Sequence, residues 1–538
     1  MGRKQNIKAI ALLTGILIVF AGCKPGAEPP EPGKNSISHF DIPVSERPRD
    51  SFDITAFDSA CREFESLLKA EGNEERIFEI YEEIKTLLLK SKNDAVLALC
   101  DYDADVTENA ERYTAKQNMY SKAYGRSVSL FQSVFLTDYA DSFRAYIGKE
   151  LADKFENAEK VSKEESAVKT KIRELEKMYD ALTVRGADTE EFKQLYIEIV
   201  AANNAYARTR GYKDYCEYAY AKGRDYTVEN AIKTGDEVIK NFIPVFRAYV
   251  AKITKDAVYD AYKENHDSAE VKFSRLRECV KNISPKLEVS LDHLIRNKLY
   301  NADFSANKGQ SDYTVAMPMY NDAFIFINPQ GKVSDYKTVI HEFGHYSAQY
   351  YRANDAFDPN LVMDVEEIMS QGLQLLCCDY YDDYCGEYGT ALMQSTVFQI
   401  MQAVPKGFAV NEAEYLCYTA ENLTAEKADE IWAETNRKYG NPLGKKDGAW
   451  TAIPHVFQSP FYYIGYAVSA LAAFELFIES KTDFKGSVDK YFAVTELPAG
   501  TGFNEALSRA ELNNVFEKGA VAALAEKLKN VLVTEREG

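Results

Sequence analysis

The chain has 538 residues, 46% of them hydrophobic and 27% charged, so a sizeable core can form and global disorder is excluded. A formal charge of −19 repels phosphate backbones, and no nucleic-acid partner is expected. With only 16 Pro and 28 Gly, the chain does not read as a turn-rich all-β protein.

Arg3, Lys4 and Lys8 form a basic start, and Ile10 to Phe20 an apolar run too short for a comfortable membrane span. Ala21-Gly22-Cys23 follows and resembles a bacterial lipobox, although Phe20 stands where Leu is usual. Residues 1–22 are therefore expected to be a lipoprotein signal peptide. Cys23 would carry the lipid, and the chain would be exported and tethered to a bacterial membrane in the cell envelope. The Pro-rich stretch Lys24 to Lys34 has nothing to bury, and residues 23–49 are expected to form a flexible tether.

From about Asp50 the apolar period is close to 3.6, and residues 50–300 read as an N-terminal helical region. Phe57–Ala70, Glu75–Lys90, Asp94–Ser121, Val161–Leu182, Phe192–Arg208, Val228–Lys263 and Ser268–Val280 show the pattern. Asp188-Thr-Glu-Glu marks one helix start. Residues 301–538 form a second region and open differently. Segments 313–322 and 323–331 are rich in β-branched and aromatic residues and end in Asn-Pro-Gln-Gly, as strands do. Ser334-Asp335 starts a helix through about Arg352. Further helices are expected over Asp364–Tyr381, Leu392–Ala403, Ala425–Tyr439, Pro460–Ser480, Val488–Val494 and Glu511–Leu532.

Three places carry chemistry. His341-Glu342-Phe343-Gly344-His345 is an HExxH motif inside a helix, with both imidazoles on one face and able to reach a single zinc ion. Glu342 projects about 100° away and can serve as the base for the attacking water. A third ligand is expected from Asp364-Val-Glu-Glu-Ile-Met-Ser-Gln371, where Glu366 and Glu367 compete and spacing alone does not choose. Ile453 to Ala467 contains His455, Tyr462, Tyr463 and Tyr466. A neutral Tyr hydroxyl or a His there can donate to the oxyanion that develops in amide hydrolysis, although a Tyr stripe is also an ordinary core feature. Gly444-Lys-Lys-Asp-Gly448 reads as a flexible loop able to close on substrate, not as a phosphate-binding loop.

The stretch Ala323–Leu376 resembles the thimet oligopeptidase and oligoendopeptidase F family of zinc peptidases, which pairs an HExGH helix with a Glu-x-x-Ser segment whose Glu binds zinc. Glu367-Ile-Met-Ser370 fits that register and Glu366 does not. The resemblance thus implies His341, His345 and Glu367 as ligands to one zinc ion per chain, with Glu366 in a position to orient a ligand His. It also implies Glu342 as base, Tyr466 as oxyanion donor, His455 as a substrate or transition-state donor, and Tyr463 as a further contact. Tyr206 to Tyr215 is similar to the family's Arg-x-x-Gly-Tyr-Lys segment, and the likeness covers most of residues 190–480. It departs after His345, where Tyr346-Ser-Ala replaces a His found in some members.

What the resemblance implies for fold is a mainly α bowl with a zincin-like core, a deep substrate channel and a small edge sheet before the HExxH helix. What it implies for activity is a zinc-dependent endopeptidase acting on short unfolded peptides, with Ala323–Asn328 as an edge strand that pairs with the peptide. Two other readings share the motif: a dipeptidyl-carboxypeptidase-like zinc peptidase, and an inactive peptide-binding lipoprotein. The intact Glu342 argues against the inactive form. Cys61, Cys100, Cys216, Cys279, Cys377, Cys378, Cys385 and Cys417 lie in apolar helical patterns and are expected to be buried free thiols. His39, His266 and His293 have no metal spacing and are expected to be solvated or locally bonded.

Overall fold

A computed structural model describes residues 39–158, 162–253, 259–309, 311–352, 356–357 and 361–534. The signal peptide, Cys23 and the tether up to residue 38 lie outside them. From His39 onward the chain is not a tether. His39 Nδ1 bonds the Asn321 carbonyl at 2.8 Å, and the Val44 N–H donates to Asn297 O at 2.9 Å. Arg47 is buried against Asp322 at 2.6 Å, with its guanidinium over the Tyr320 ring. Charged and aromatic residues after the Pro-rich stretch give this strap its contacts.

The architecture is mainly α. An N-terminal group holds Ile54–Leu67, Glu74–Ala104 and Ala110–Val134 around an aromatic core of Phe57, Phe64, Tyr81, Phe131 and Phe143. Asp53 caps the first of these by accepting from the Thr55 and Ala56 N–H groups. The helix expected over Asp94–Ser121 is replaced by the ends of two longer ones, which break at 105–109, where no apolar residue closes the turn but Val106. Lys163–Arg185 and Thr189–Thr209 form a hairpin, with Gly186 left-handed at the turn and Asp188 capping the second helix, as its sequence signals.

The larger core gathers the remaining helices about a three-stranded sheet. Its strands are β1 (Tyr300–Asn301), β2 (Tyr313–Met317) and β3 (Asp322–Phe326), in the order β1-β3-β2. β1 is parallel and β2 antiparallel to β3. The segment expected at the edge is therefore the centre. All five β3 residues are buried, which fits a strand covered on both faces and explains its unbroken apolar run from Ala323. β1 and β2 are the two edge strands, and β2 stops at Pro318.

Two helices behave unlike their sequences. Gly389–Tyr418 runs through Pro405 as one helix, because Gly407 lets it pack hard against Ala467 and the Tyr463 carbonyl. Within the segment expected as one helix over Glu511–Leu532, the α-helix is only Ala520–Leu528, continued by a π-helical turn over Lys529–Val533, and left-handed Glu511 and Gly519 precede it. All eight cysteines named above are buried and free.

Candidate active site

The HExxH helix spans Asp335–Tyr350 and packs on β3. Against it runs the glutamate helix, Met363–Leu376, almost wholly buried. Gly344 sets how closely they approach. A Cβ there would lie 2.8 Å from both the Met369 carbonyl oxygen and Ser370 Cα, inside contact distance of the neighbouring backbone. Glycine at this position brings Glu367 beneath the two imidazoles.

The ligand atoms of His341, His345 and Glu367 all lie within 4.8 Å of one another. Glu367 Oε2 is 3.6 Å from His341 Nε2, and Oε1 is 4.0 Å from His345 Nε2. A tetrahedral zinc with bonds near 2.0–2.1 Å separates its ligand atoms by about 3.3 Å. Two imidazoles and a carboxylate are also the donor types zinc accepts at a hydrolytic site, so the residues present fit the ion. His341 Nδ1 bonds Gln374 Oε1 at 3.1 Å, which leaves Nε2 turned to the cluster. Gln374 is fixed in turn by donating to the Lys337 carbonyl. Ser370 donates to Glu367 Oε2 at 3.0 Å.

The role expected for Glu366 is not the one it fills. It forms a buried ion pair with Arg352 at 2.9 Å and also bonds Gln349, facing away from the imidazoles because it is one residue, about 100°, round the helix from Glu367. Gln374, seven residues beyond Glu367 and so on the same face, orients the ligand His instead.

Glu342 is buried, and Oε2 accepts from the Thr314 hydroxyl of β2 at 2.8 Å. Burial lifts its carboxyl to about 7, against the lowering influence of His341 and Thr314. Burial lowers the His341 imidazole, but Glu367 and Glu342 outweigh it and hold the group above its ordinary value. His345 is pushed the other way by burial, His341 and Arg352.

The tyrosine segment closes the other side. The Tyr462 and Tyr466 rings lie 5.3 Å apart, and both feel the Glu367 charge. His455 stacks on Tyr462 at 4.9 Å and meets the Tyr466 ring edge-on at 6.2 Å. Burial, helped by Lys406, lowers its imidazole to about 4, so it is neutral at ordinary pH. Tyr463 also touches His455 and Tyr466 but carries Lys406 over its ring at 5.1 Å. The structure thus brings His455, Tyr466 and Tyr463 together with the metal cluster's carboxylate, and adds Tyr462.

What anchors this segment carries no motif. Phe461, in the left-handed region at φ 65°, is held from both sides: its N–H donates to Glu414, and its carbonyl accepts from Arg224, each at 2.9 Å. Arg224 and Tyr226 also donate to Asp364 at the head of the glutamate helix. One buried network therefore joins the tyrosines to the ligand Glu. Thr314 and Gln374 were equally silent, since neither falls in a motif. Gly444–Gly448 lies elsewhere in this picture, with Gly448 packed on Thr189.

A second set, His39, His293 and Asp322, also comes within 4.8 Å. Asp322 there is already paired with Arg47 and with His293 at 3.0 Å. The set is a buried ion pair that pins the strap, and His293 is neither solvated nor merely local. His266 is exposed, as expected.

The HExxH helix and the carboxylate of the helix that follows it thus form one cluster of two imidazoles and a carboxylate, set in a mainly α fold. Residues 269–491 match the profile of peptidase family M3. Oligopeptidase PepF of Bacillus subtilis (strain 168) is 26% identical over 326 residues, which cover 54% of this chain and 47% of that protein. The match thus spans about half the relative's length. Among solved structures, PZ peptidase A with an inhibitor aligns over 91% of this chain and 98% of its own at 19% identity, TM-score 0.75. A candidate oligoendopeptidase F from Bacillus anthracis aligns over the same shares at 18% identity, TM-score 0.72. These last two likenesses speak for the fold.

Proposed function

We propose that the protein is a zinc-dependent endopeptidase that hydrolyses short unfolded peptides. The observation that carries this is the convergence of His341, His345 and Glu367 with a buried Glu342 beside them. Zinc, when bound, supplies Lewis-acid polarisation of the scissile carbonyl and acidifies water. The chain's own residues do the rest. Gln374 keeps the His341 Nε2 lone pair directed at the ion, and Ser370 steadies Glu367. Glu342 Oε1, the oxygen not engaged by Thr314, takes the proton of the attacking water and returns it to the leaving amine. Tyr466, with His455 near it, donates to the carbonyl oxygen as charge grows there. Tyr463 and Tyr462 shape the same wall. The free edge of β2 offers its backbone to an extended peptide, and an unfolded strand fits such an edge where a folded protein does not.

The envelope location is part of the same proposal. It rests on the basic start, the apolar run and Cys23, and labelling with a lipid precursor in cells, lost on Cys23→Ser, tests it. The activity is tested with internally quenched peptides. Zinc-loaded protein should cleave them at internal bonds. Glu342→Gln should lose about 10²–10⁴-fold in kcat with zinc content unchanged. Chelator-insensitive cleavage, or an unimpaired Glu342→Gln, would refute the proposal.

A further inference from the structure

Lys337 sits one helical turn before His341 and is 6% exposed. Its Nζ donates to Ser395 Oγ at 3.1 Å, and the Tyr262 ring lies 5.9 Å away. Among the described residues no carboxylate pairs with it. The nearest, Asp335, spends both oxygens on the Gln330 and Lys332 N–H groups. A buried ammonium held by a hydroxyl and, distantly, a ring face is costly, and such groups ordinarily find an anion.

Lys337 also lines a cavity of about 370 Å³ that it shares with His341, Glu342, Gln371 and Thr396. The Gln371 amide oxygen is buried in that wall without a hydrogen-bond partner. It can accept an N–H from a peptide backbone. Asp312, the other acid lining the cavity besides Glu342, accepts from the Asn328 N–H and acts on His341 and Lys308, not on Lys337. The cavity therefore holds the proposed base and a proposed zinc ligand, an unused acceptor and a cation with no carboxylate paired to it among the described residues.

We infer that Lys337 is the carboxylate-binding subsite of this cavity, taking either the C-terminal carboxylate or an acidic side chain of the bound peptide. The inference rests on the peptidase reading above and narrows its substrate class to peptides that place an anion near the cut bond. Serving as a positioning charge, Lys337 acts on KM more than on kcat.

The test uses matched peptide pairs: one pair ending in a free carboxylate or an amide, the others bearing Glu or Gln at each position flanking the cut. Cleavage is measured with zinc-loaded wild type, Lys337→Met and Lys337→Arg, and binding by anisotropy on Glu342→Gln. Wild type should favour the carboxylate member of one pair by about tenfold or more in KM and in Kd, and the responding pair identifies the source of the anion. Lys337→Met should erase the preference while holding kcat on the neutral peptide within about threefold, and Lys337→Arg should keep it. A wild type indifferent to every pair in both measurements overturns the inference, as does a Lys337→Met that retains the preference. If no peptide is cut, the peptidase reading fails, and the binding arm still decides the subsite.

Discussion

Gly344→Ala is the smallest change that should separate the zinc ligands. The added Cβ would stand 2.8 Å from Met369 O and Ser370 Cα, whereas ordinary contact begins near 3.4 Å, so the two helices must part by about 0.6 Å. Neither obstacle is a side chain that can rotate away. Alanine gains about 1 kcal/mol over glycine in helix propensity, and overpacking costs about 1–3 kcal/mol, so net stability falls by about 0–2 kcal/mol. The site should suffer more than the fold. Glu367 lies two residues from Met369, and its oxygens are already 3.6 and 4.0 Å from the imidazoles. Zinc affinity should fall about 10–100-fold, comparable to losing a group that orients a ligand. Competition with a calibrated chelator measures this, alongside thermal unfolding of the metal-free forms. A variant with wild-type zinc affinity would show that Gly344 does not set the ligand geometry.

Other residues give separate tests. Gln374→Ala should leave the fold intact and weaken zinc binding about 10–100-fold by freeing the His341 ring, read by the same chelator competition. Tyr466→Phe should lower kcat on a quenched peptide about 10²–10³-fold with little change in KM, and an equal loss in both parameters would point to substrate binding instead. Burial raises the Glu176 carboxyl to about 7. The native state then holds a proton that the unfolded chain releases above its ordinary value of 4.5, so the cost is absent below that pH, grows upward and is complete above about 7. Glu176→Gln should raise Tm at pH 8 and leave it unchanged at pH 4, and a rise at both would contradict burial as the cause.

What could be read from the sequence was local. HExxH and Glu-x-x-Ser are fixed spacings on single helices, and the side-chain directions that follow from helical geometry are the ones observed at His341, His345 and Glu367. Asp188 as a helix cap belongs to the same category. Contacts between distant segments were not legible. Thr314 on Glu342, Gln374 on His341, and the Arg224, Asp364, Glu414 and Phe461 network join residues 28 to 237 positions apart. Strand order failed for a related reason: an apolar run such as Ala323–Ile327 shows that a strand is buried, and which neighbours cover it depends on chain returning from Tyr300 and Tyr313. The helix expected over Leu392–Ala403 runs on through Pro405 to Tyr418, since tertiary packing overrides helix propensity.

The strap from His39 to Arg49 bears on how the body connects to its proposed anchor. Arg47, Asp322 and His293 form its buried hold, and Arg49 reaches Asp101 at 3.0 Å. It touches both the N-terminal helices and the sheet beneath the HExxH helix.

Metal content of the purified protein probes the heart of this account. Wild type should carry one zinc per chain after dialysis against metal-free buffer. Glu367→Ala should lose it, while Glu366→Gln, altered only at the Arg352 pair, should keep it. Zinc retained at full occupancy by Glu367→Ala, or lost from Glu366→Gln in a still-folded protein, would contradict the assignment of Glu367 as the third ligand.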